Sequence, residues 1–323
     1  MERFSYVRAE SIPHAVALLN TPGVRSRPLA GGTDLVLLLR EARALAKPAL
    51  SGPPGPERAE RLVDISQIPE MHRITRAGDT VTIGAAATFS EIIESRVVNE
   101  TAPLLVQACR SVGATQIRNM GTLGGNVANA AACADSLPAL VCLDATARVL
   151  TPNDERTWPV SELVIRPNRT HIPPGGLLVS LSYTVPAPGS RGVFLKLGRR
   201  NAMAISRLTV AALGRLGADG RIAEVRLVPG SATPQIRRFG AVEEMLVGQV
   251  PTVELCETAG RLAVSEMARI TGKRWSSEYK EPVLLALVTR ALLLVFDLTR
   301  AEGWNREAGS WMLEAGGWSS EAA

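Results

Sequence analysis

The sequence is short of lysine, aromatic residues and paired cysteines, and each shortage removes a class of function. Lys47, Lys196, Lys273 and Lys280 are the only lysines among 36 basic residues, and aromatics make up 4% of the 323 residues. No segment interleaves clustered basic residues with aromatics, so the chain carries no stacking platform for nucleic acid. The formal charge of +5 is modest, and the arginine and alanine richness reads as compositional bias. Cys109, Cys133, Cys142 and Cys256 include no pair two or three residues apart. That excludes a zinc ribbon, a redox Cys-x-x-Cys pair and an iron–sulfur run, and leaves buried thiols acting as small hydrophobes. The longest apolar run, 283–296, is broken by Thr289 and Arg290 and is too short to span a bilayer. The opening MERFSYVRAESIPH has no apolar core of a signal peptide. A cytoplasmic, reducing location is therefore expected. Neither Gly-x-Gly-x-x-Gly nor a Walker-type Gly-Lys-Ser/Thr occurs, so an ordinary Rossmann or P-loop site is not supported.

What is present is a globular chain, 46% apolar and long enough for more than one domain. The first 65 residues read as strand–helix–strand–turn–helix–strand, with Ser11 capping a helix that carries Pro13 in its first turn. The segment Lys47–Arg61, with Pro48, Gly52, Pro53, Pro54, Gly55 and Pro56, reads as a surface loop. Strands are expected at Ile74 and at 81–83, a helix capped by Ser90, a second helix opened by Pro103, a helix from Asp135 and a strand at 147–150. Leu177–Val185 alternates as a strand should, three more strand candidates follow, and the last third carries apolar residues at helical spacing. The predicted class is α+β. The composition shift near 177 sets the expected boundaries at 1–176 (with subdomains 1–65 and 66–176), 177–302 and an extension over 303–323.

Two diglycine turns stand out. Ala30-Gly31-Gly32-Thr33-Asp34 and Thr122-Leu123-Gly124-Gly125-Asn126 each join a strand or loop to a helix. Glycines let a backbone approach a ligand closely, and free N–H groups in such turns form a cavity for phosphate oxygens. On spacing alone these are either a dinucleotide phosphate site or structural turns.

The residues resolve further through a resemblance. Pro28–Leu35, Gln116-Ile117-Arg118-Asn119-x-Gly121-Thr122-Leu123-Gly124-Gly125-Asn126, Asp135-Ser136-x-Pro138-Ala139-Leu140 and Phe194–Arg200 with Ala202–Ser206 occur in order. Together with Ser277-Glu278-Tyr279-Lys280 before a long helix, they resemble the FAD-binding, medium subunit of molybdenum hydroxylases. That group includes xanthine dehydrogenase, aldehyde oxidase and carbon monoxide dehydrogenase. The resemblance covers about residues 3–300. It implies the fold shared with p-cresol methylhydroxylase and vanillyl-alcohol oxidase, two α+β subdomains enclosing non-covalent FAD, with a C-terminal domain of a small antiparallel sheet and helices. Carried over by position, Leu29, Ala30, Gly31, Gly32, Thr33 and Asp34 with Thr122, Gly124, Gly125 and Asn126 contact the pyrophosphate. Asp135 falls near the ribose and phosphate end, and Lys196 near the flavin. The implied partners are a small [2Fe–2S] subunit and a large molybdopterin-binding subunit in a dimer of heterotrimers. Electrons then pass from molybdenum through the clusters to FAD on this chain, and on to NAD⁺, oxygen or another acceptor.

Blander readings stand beside these. Asp135 is also a good N-cap, Lys196 an exposed strand lysine, Thr33 and Thr122 turn stabilisers, Arg118 a solvated arginine, and Arg199-Arg200 an ion-pairing face. His14, His72 and His171 are isolated in sequence, giving no support for a flavin–histidine link or a histidine base. The aromatic residue that covers the flavin in some relatives falls near Val112, which is not aromatic, and no cysteine-rich insertion for an extra cluster follows the glycine stretch. Two other classes remain: a self-sufficient flavin oxidoreductase of the same fold, and a non-catalytic nucleotide-binding module.

Overall fold

The computed structural model describes residues 4–44, 60–200 and 203–298. The 303–323 extension, and the Lys47–Arg61 loop apart from its last two residues, lie outside them. The first unit comprises β1 (Ser5–Arg8), α1 (Ile12–Leu19), β2 (Ser26–Leu29), α2 (Leu35–Ala44) and β3 (Arg61–Asp64). β3 lies between β1 and β2 and runs parallel to both, with Val63 opposite Val7 and Pro28. Ser11 caps α1 as its sequence position predicts, the hydroxyl accepting from the His14 N–H at 3.3 Å. Ala15, Val16 and Leu19 turn its apolar face inward.

The second unit opens with β4 (Ile74–Ala77) and β5 (Thr80–Gly84). Six helices follow: α3 (Phe89–Glu94), α4 (Arg96–Thr101), α5 (Pro103–Arg110), α6 (Thr115–Met120), α7 (Leu123–Asn129) and α8 (Ser136–Cys142). The chain then continues through β6 (Thr146–Leu150), β7 (Glu155–Pro159), α9 (Val160–Leu163), the short pair β8 (Val164–Arg166) and β9 (Arg169–Thr170), and β10 (Leu177–Thr184). The cap of α3 is Thr88 rather than the expected Ser90. Thr88 has Glu91 three residues on, and the two close a reciprocal capping box, an arrangement Ser90 cannot make. Ser90 instead donates to Asn119.

β10 begins at the expected boundary of 177 and pairs with strands of the second unit. It is the middle strand of an antiparallel sheet of order β4-β5-β10-β6-β7, and it buries Leu177, Leu178, Val179, Leu181 and Tyr183. The compositional change there falls on a strand with one face, Leu177, Val179, Leu181 and Tyr183, fully buried.

The C-terminal part contains β11 (Arg191–Leu197), β12 (Leu208–Leu216), β13 (Ile222–Gly230), α10 (Gly240–Leu246), α11 (Val253–Thr271) and α12 (Ser277–Val295). Its antiparallel sheet of order β11-β12-β13 is apolar on both faces because consecutive strand residues point opposite ways. Leu208, Val210 and Ala212 pack with Ala259, Ala263, Leu284 and Val288 of α11 and α12. Ala211, Leu213, Phe194 and Val228 join the core of the preceding unit, alongside Leu104, Leu105 and Leu140. The sheet is thus a shared wall, and it carries Lys196 to the N-terminal part of the fold.

Candidate functional site

The first glycine turn leaves β2 and enters α2. Gly32 adopts φ +70°, the left-handed region that favours glycine. Gly31 lies so close to the α6–α7 junction that a Cβ there would stand 1.7 Å from the Met120 carbonyl oxygen. The fold therefore presses the first turn against the residues immediately before the second. Among the described residues, the N–H groups of Gly31, Gly32, Thr33 and Asp34 donate to no protein acceptor. They cluster at the start of α2, where the helix dipole adds positive potential. Unpaired amides at a helix start fit phosphate oxygens.

The second glycine segment is built differently from the expected open turn. Thr122 caps α7, and Gly124-Gly125 lies inside the first helical turn. The amides of Leu123, Gly124, Gly125 and Asn126 are engaged, while the Thr122 N–H donates to no protein acceptor among the described residues. The Leu123 N–H donates to the Ala87 carbonyl (3.0 Å), Gly124 to that of Ala85 (2.9 Å) and Asn126 to that of Thr122 (3.0 Å). The Gly125 N–H donates to the Thr122 hydroxyl at 3.0 Å. A row of free N–H groups like that of the first turn is not found in this segment. These glycines serve close approach: a Cβ on Gly124 would meet the Ala85 Cβ at 2.4 Å, and one on Gly125 the Thr122 hydroxyl at 2.7 Å. Asn126 turns its side-chain oxygen to the Ser136 hydroxyl at 2.7 Å.

Asp135 stands at the N-cap position of α8 but makes no side-chain cap bond, and its own backbone is already helical. Its carboxylate goes elsewhere. One oxygen meets the Lys196 ammonium at 2.6 Å and the other accepts from the Ser206 hydroxyl. Lys196 also donates to the Ser111 carbonyl at 2.8 Å. The pair is enclosed, with side-chain exposures of 15% for Lys196 and 5% for Asp135, so Lys196 is no exposed strand lysine. Burial pushes the Asp135 carboxyl above its ordinary range against the pull of Lys196. Half-buried Cys133 is pushed up by burial and then by Asp135; Lys196 opposes this and Asp34 adds to it. The Asp135–Lys196 pair ties the α7–α8 connection to β11.

Other candidates fall outside this cluster. Arg118 braces its own loop, donating to the Val112 and Gly113 carbonyls at 3.1 and 3.4 Å. Arg199 and Arg200 are exposed, and Arg200 donates to the Met203 carbonyl. All three histidines isolated in sequence are engaged in the fold, His14 Nδ1 accepting from the Glu10 N–H at 3.4 Å. His171 stacks on Trp158 with ring centroids 5.1 Å apart, and His72 contacts Glu91 and the Ser66 carbonyl. Sequence reasoning gave no role to Ser206, although it closes the Ala202–Ser206 motif; its pairing with Asp135 depends on β11 and β12 meeting α8. Among the described residues no cluster of His, Cys, Asp and Glu could hold a metal ion, and no helix is long and apolar enough to cross a membrane.

Comparison with known proteins gives a consistent picture. Residues 2–188 match the family described as the FAD binding domain in molybdopterin dehydrogenase, and residues 193–295 match the CO dehydrogenase flavoprotein C-terminal domain. The chain is 30% identical to the alpha subunit of the 6-hydroxypseudooxynicotine dehydrogenase complex of Paenarthrobacter nicotinovorans, over 90% of this chain and 93% of that one. It is 28% identical to the xanthine dehydrogenase FAD-binding subunit of Escherichia coli O157:H7, over 89% and 94%. A solved structure of carbon monoxide dehydrogenase from Hydrogenophaga pseudoflava superimposes with a TM-score of 0.81 at 27% identity, covering 91% of this chain and 98% of that chain.

Proposed function

The chain belongs to the family of FAD-binding subunits of molybdenum hydroxylases, and we propose that it is the electron-relay subunit of such a complex. The observation that carries this reading is the row of unpaired amides over Gly31–Asp34, pressed against the second glycine segment. In it, the N–H groups of Gly31, Gly32, Thr33 and Asp34 donate to the FAD pyrophosphate, and Leu29 and Ala30 set the turn's entry. Thr122, Gly124, Gly125 and Asn126 form the facing wall. Gly124, Gly125 and Asn126 contribute shape and side-chain polar atoms, since their amides are already paired, and Thr122 offers its free N–H. Asp135 acts through Lys196, which it holds in place. A fixed ammonium there favours negative charge on a neighbouring cofactor.

FAD, when bound, supplies the step between one-electron carriers and a two-electron acceptor. This chain's residues bind and orient it; the substrate chemistry belongs to partners. We assign those as a small subunit with [2Fe–2S] clusters and a large subunit with the molybdopterin, in a dimer of heterotrimers in the cytoplasm. NAD⁺, oxygen or another acceptor takes the electrons. Relatives named as the medium chain of carbon monoxide dehydrogenase and as a subunit of a dehydrogenase complex support a multi-subunit assembly. Affinity purification of the tagged chain from its native host tests this. A ferredoxin-like and a molybdenum-containing polypeptide should co-purify in equal amounts; a flavin-loaded chain recovered alone with its own oxidase activity would contradict the assignment.

A further inference from the structure

His72 stands beside the glycine segments, and both edges of its ring face acceptors. Nδ1 lies 3.1 Å from each carboxylate oxygen of Glu91, and Nε2 lies 2.9 Å from the Ser66 carbonyl oxygen. A neutral imidazole carries a single N–H and can donate to only one of them. Both contacts are hydrogen bonds only when the ring is protonated.

Each contact leads to one glycine segment. Ser66 follows β3, its N–H donating to Asp64 at 2.8 Å. The adjacent Ile65 N–H donates to the Leu29 carbonyl at 2.9 Å, at the entry of the first turn. On the other side, Glu91 accepts from the Thr88 N–H at 2.6 Å and from its hydroxyl at 2.9 Å. Thr88 bridges to Thr122, with the Phe89 N–H donating to the Gly121 carbonyl at 3.1 Å and the Leu123 N–H to that of Ala87 at 3.0 Å. The ring therefore spans the supports of the two segments.

We propose that His72, as the imidazolium, is a positioning residue that holds the first glycine turn against the second and so sets the affinity for the anionic pyrophosphate of FAD. The inference rests on the FAD reading of the turns. The charged group that meets the ring is Glu91 from α3; Asp64, two residues before Ser66 on β3, is held by Tyr6 and Arg8. Glu70 and Arg73 flank it on its own segment. Burial pushes the Glu91 carboxyl up, but the Thr88 bonds and His72 outweigh it and hold that carboxyl below its ordinary value. The carboxylate facing the ring is thus held ionised, which suits a cationic partner.

The test is FAD affinity of the full-length chain, read by flavin fluorescence. His72→Gln should bind about tenfold more weakly than wild type, the size of one charge-assisted hydrogen bond, while His72→Lys should restore the binding. Equal affinities of wild type and His72→Gln would overturn the proposal. Amide exchange in the FAD-free proteins reads the brace itself: protection at Phe89 and Leu123 should fall in His72→Gln and return in His72→Lys, and unchanged protection in His72→Gln would refute the brace. Where His72→Gln fails to fold, His72→Lys carries the comparison, and a loss of about tenfold in its affinity would count against the proposal. A wild type that binds no FAD contradicts the cofactor reading, while the exchange arm still tests the brace.

Discussion

Lys196 and Asp135 lie 61 residues apart in sequence and 2.6 Å apart in the fold. Neither residue announced the other. Asp135 precedes a helix and reads as a cap, yet its carboxylate is taken by a lysine and a serine that only the C-terminal sheet delivers. Both residues were identified in the sequence through their surrounding motifs, whereas their pairing is a tertiary fact with no local signal. The consequence is measurable. Lys196→Met strands an enclosed carboxylate and should cost about 3 kcal/mol of stability, read from the urea midpoint. Adding Asp135→Asn should recover much of the loss, because a neutral amide has less need of a cation.

At the scale of elements, local chemistry was more legible. The Ser11 cap, the turn at Gly78 and the paired strands β4 and β5 follow from residues adjacent in sequence. The short helices α6 and α7 did not, because Gly124-Gly125 looks like a turn until Thr122 is seen to cap a helix. Similarly, the end of β3 depends on contacts from β1. Asp64 there is buried, which alone would raise its carboxyl. Hydrogen bonds from Tyr6 and Ser66, with Arg8 nearby, bring it below the ordinary value. A lowered carboxyl contributes stability above its unfolded value and loses it as pH falls through the folded one. Asp64→Asn should therefore be less stable than wild type by about 1 kcal/mol near neutral pH. That gap should close on acidification below about pH 4, as thermal melts across pH would show.

For the whole molecule, the fold class and the order of units were legible through the resemblance and the order of its motifs, whereas the sheet to which β10 belongs was not. β10 closes the middle of the second sheet, and β11–β13 bury one face in the same core as α5 and α8. Residue patterns report which strand is buried, not which sheet claims it. This shared core is what brings Asp135 and Lys196 together, beside the two glycine segments that meet at Gly31 and Met120. The central claim is that this junction holds FAD, and titration of the purified full-length chain with FAD tests it most directly. Wild type should saturate at one FAD per chain with quenched flavin fluorescence. Gly31→Ala, whose added methyl would collide with the Met120 carbonyl, should remain folded, with a stability loss of about 1–3 kcal/mol, but bind far more weakly. A folded wild type that takes up no FAD, or a Gly31→Ala chain that binds it as tightly as wild type, would contradict the account.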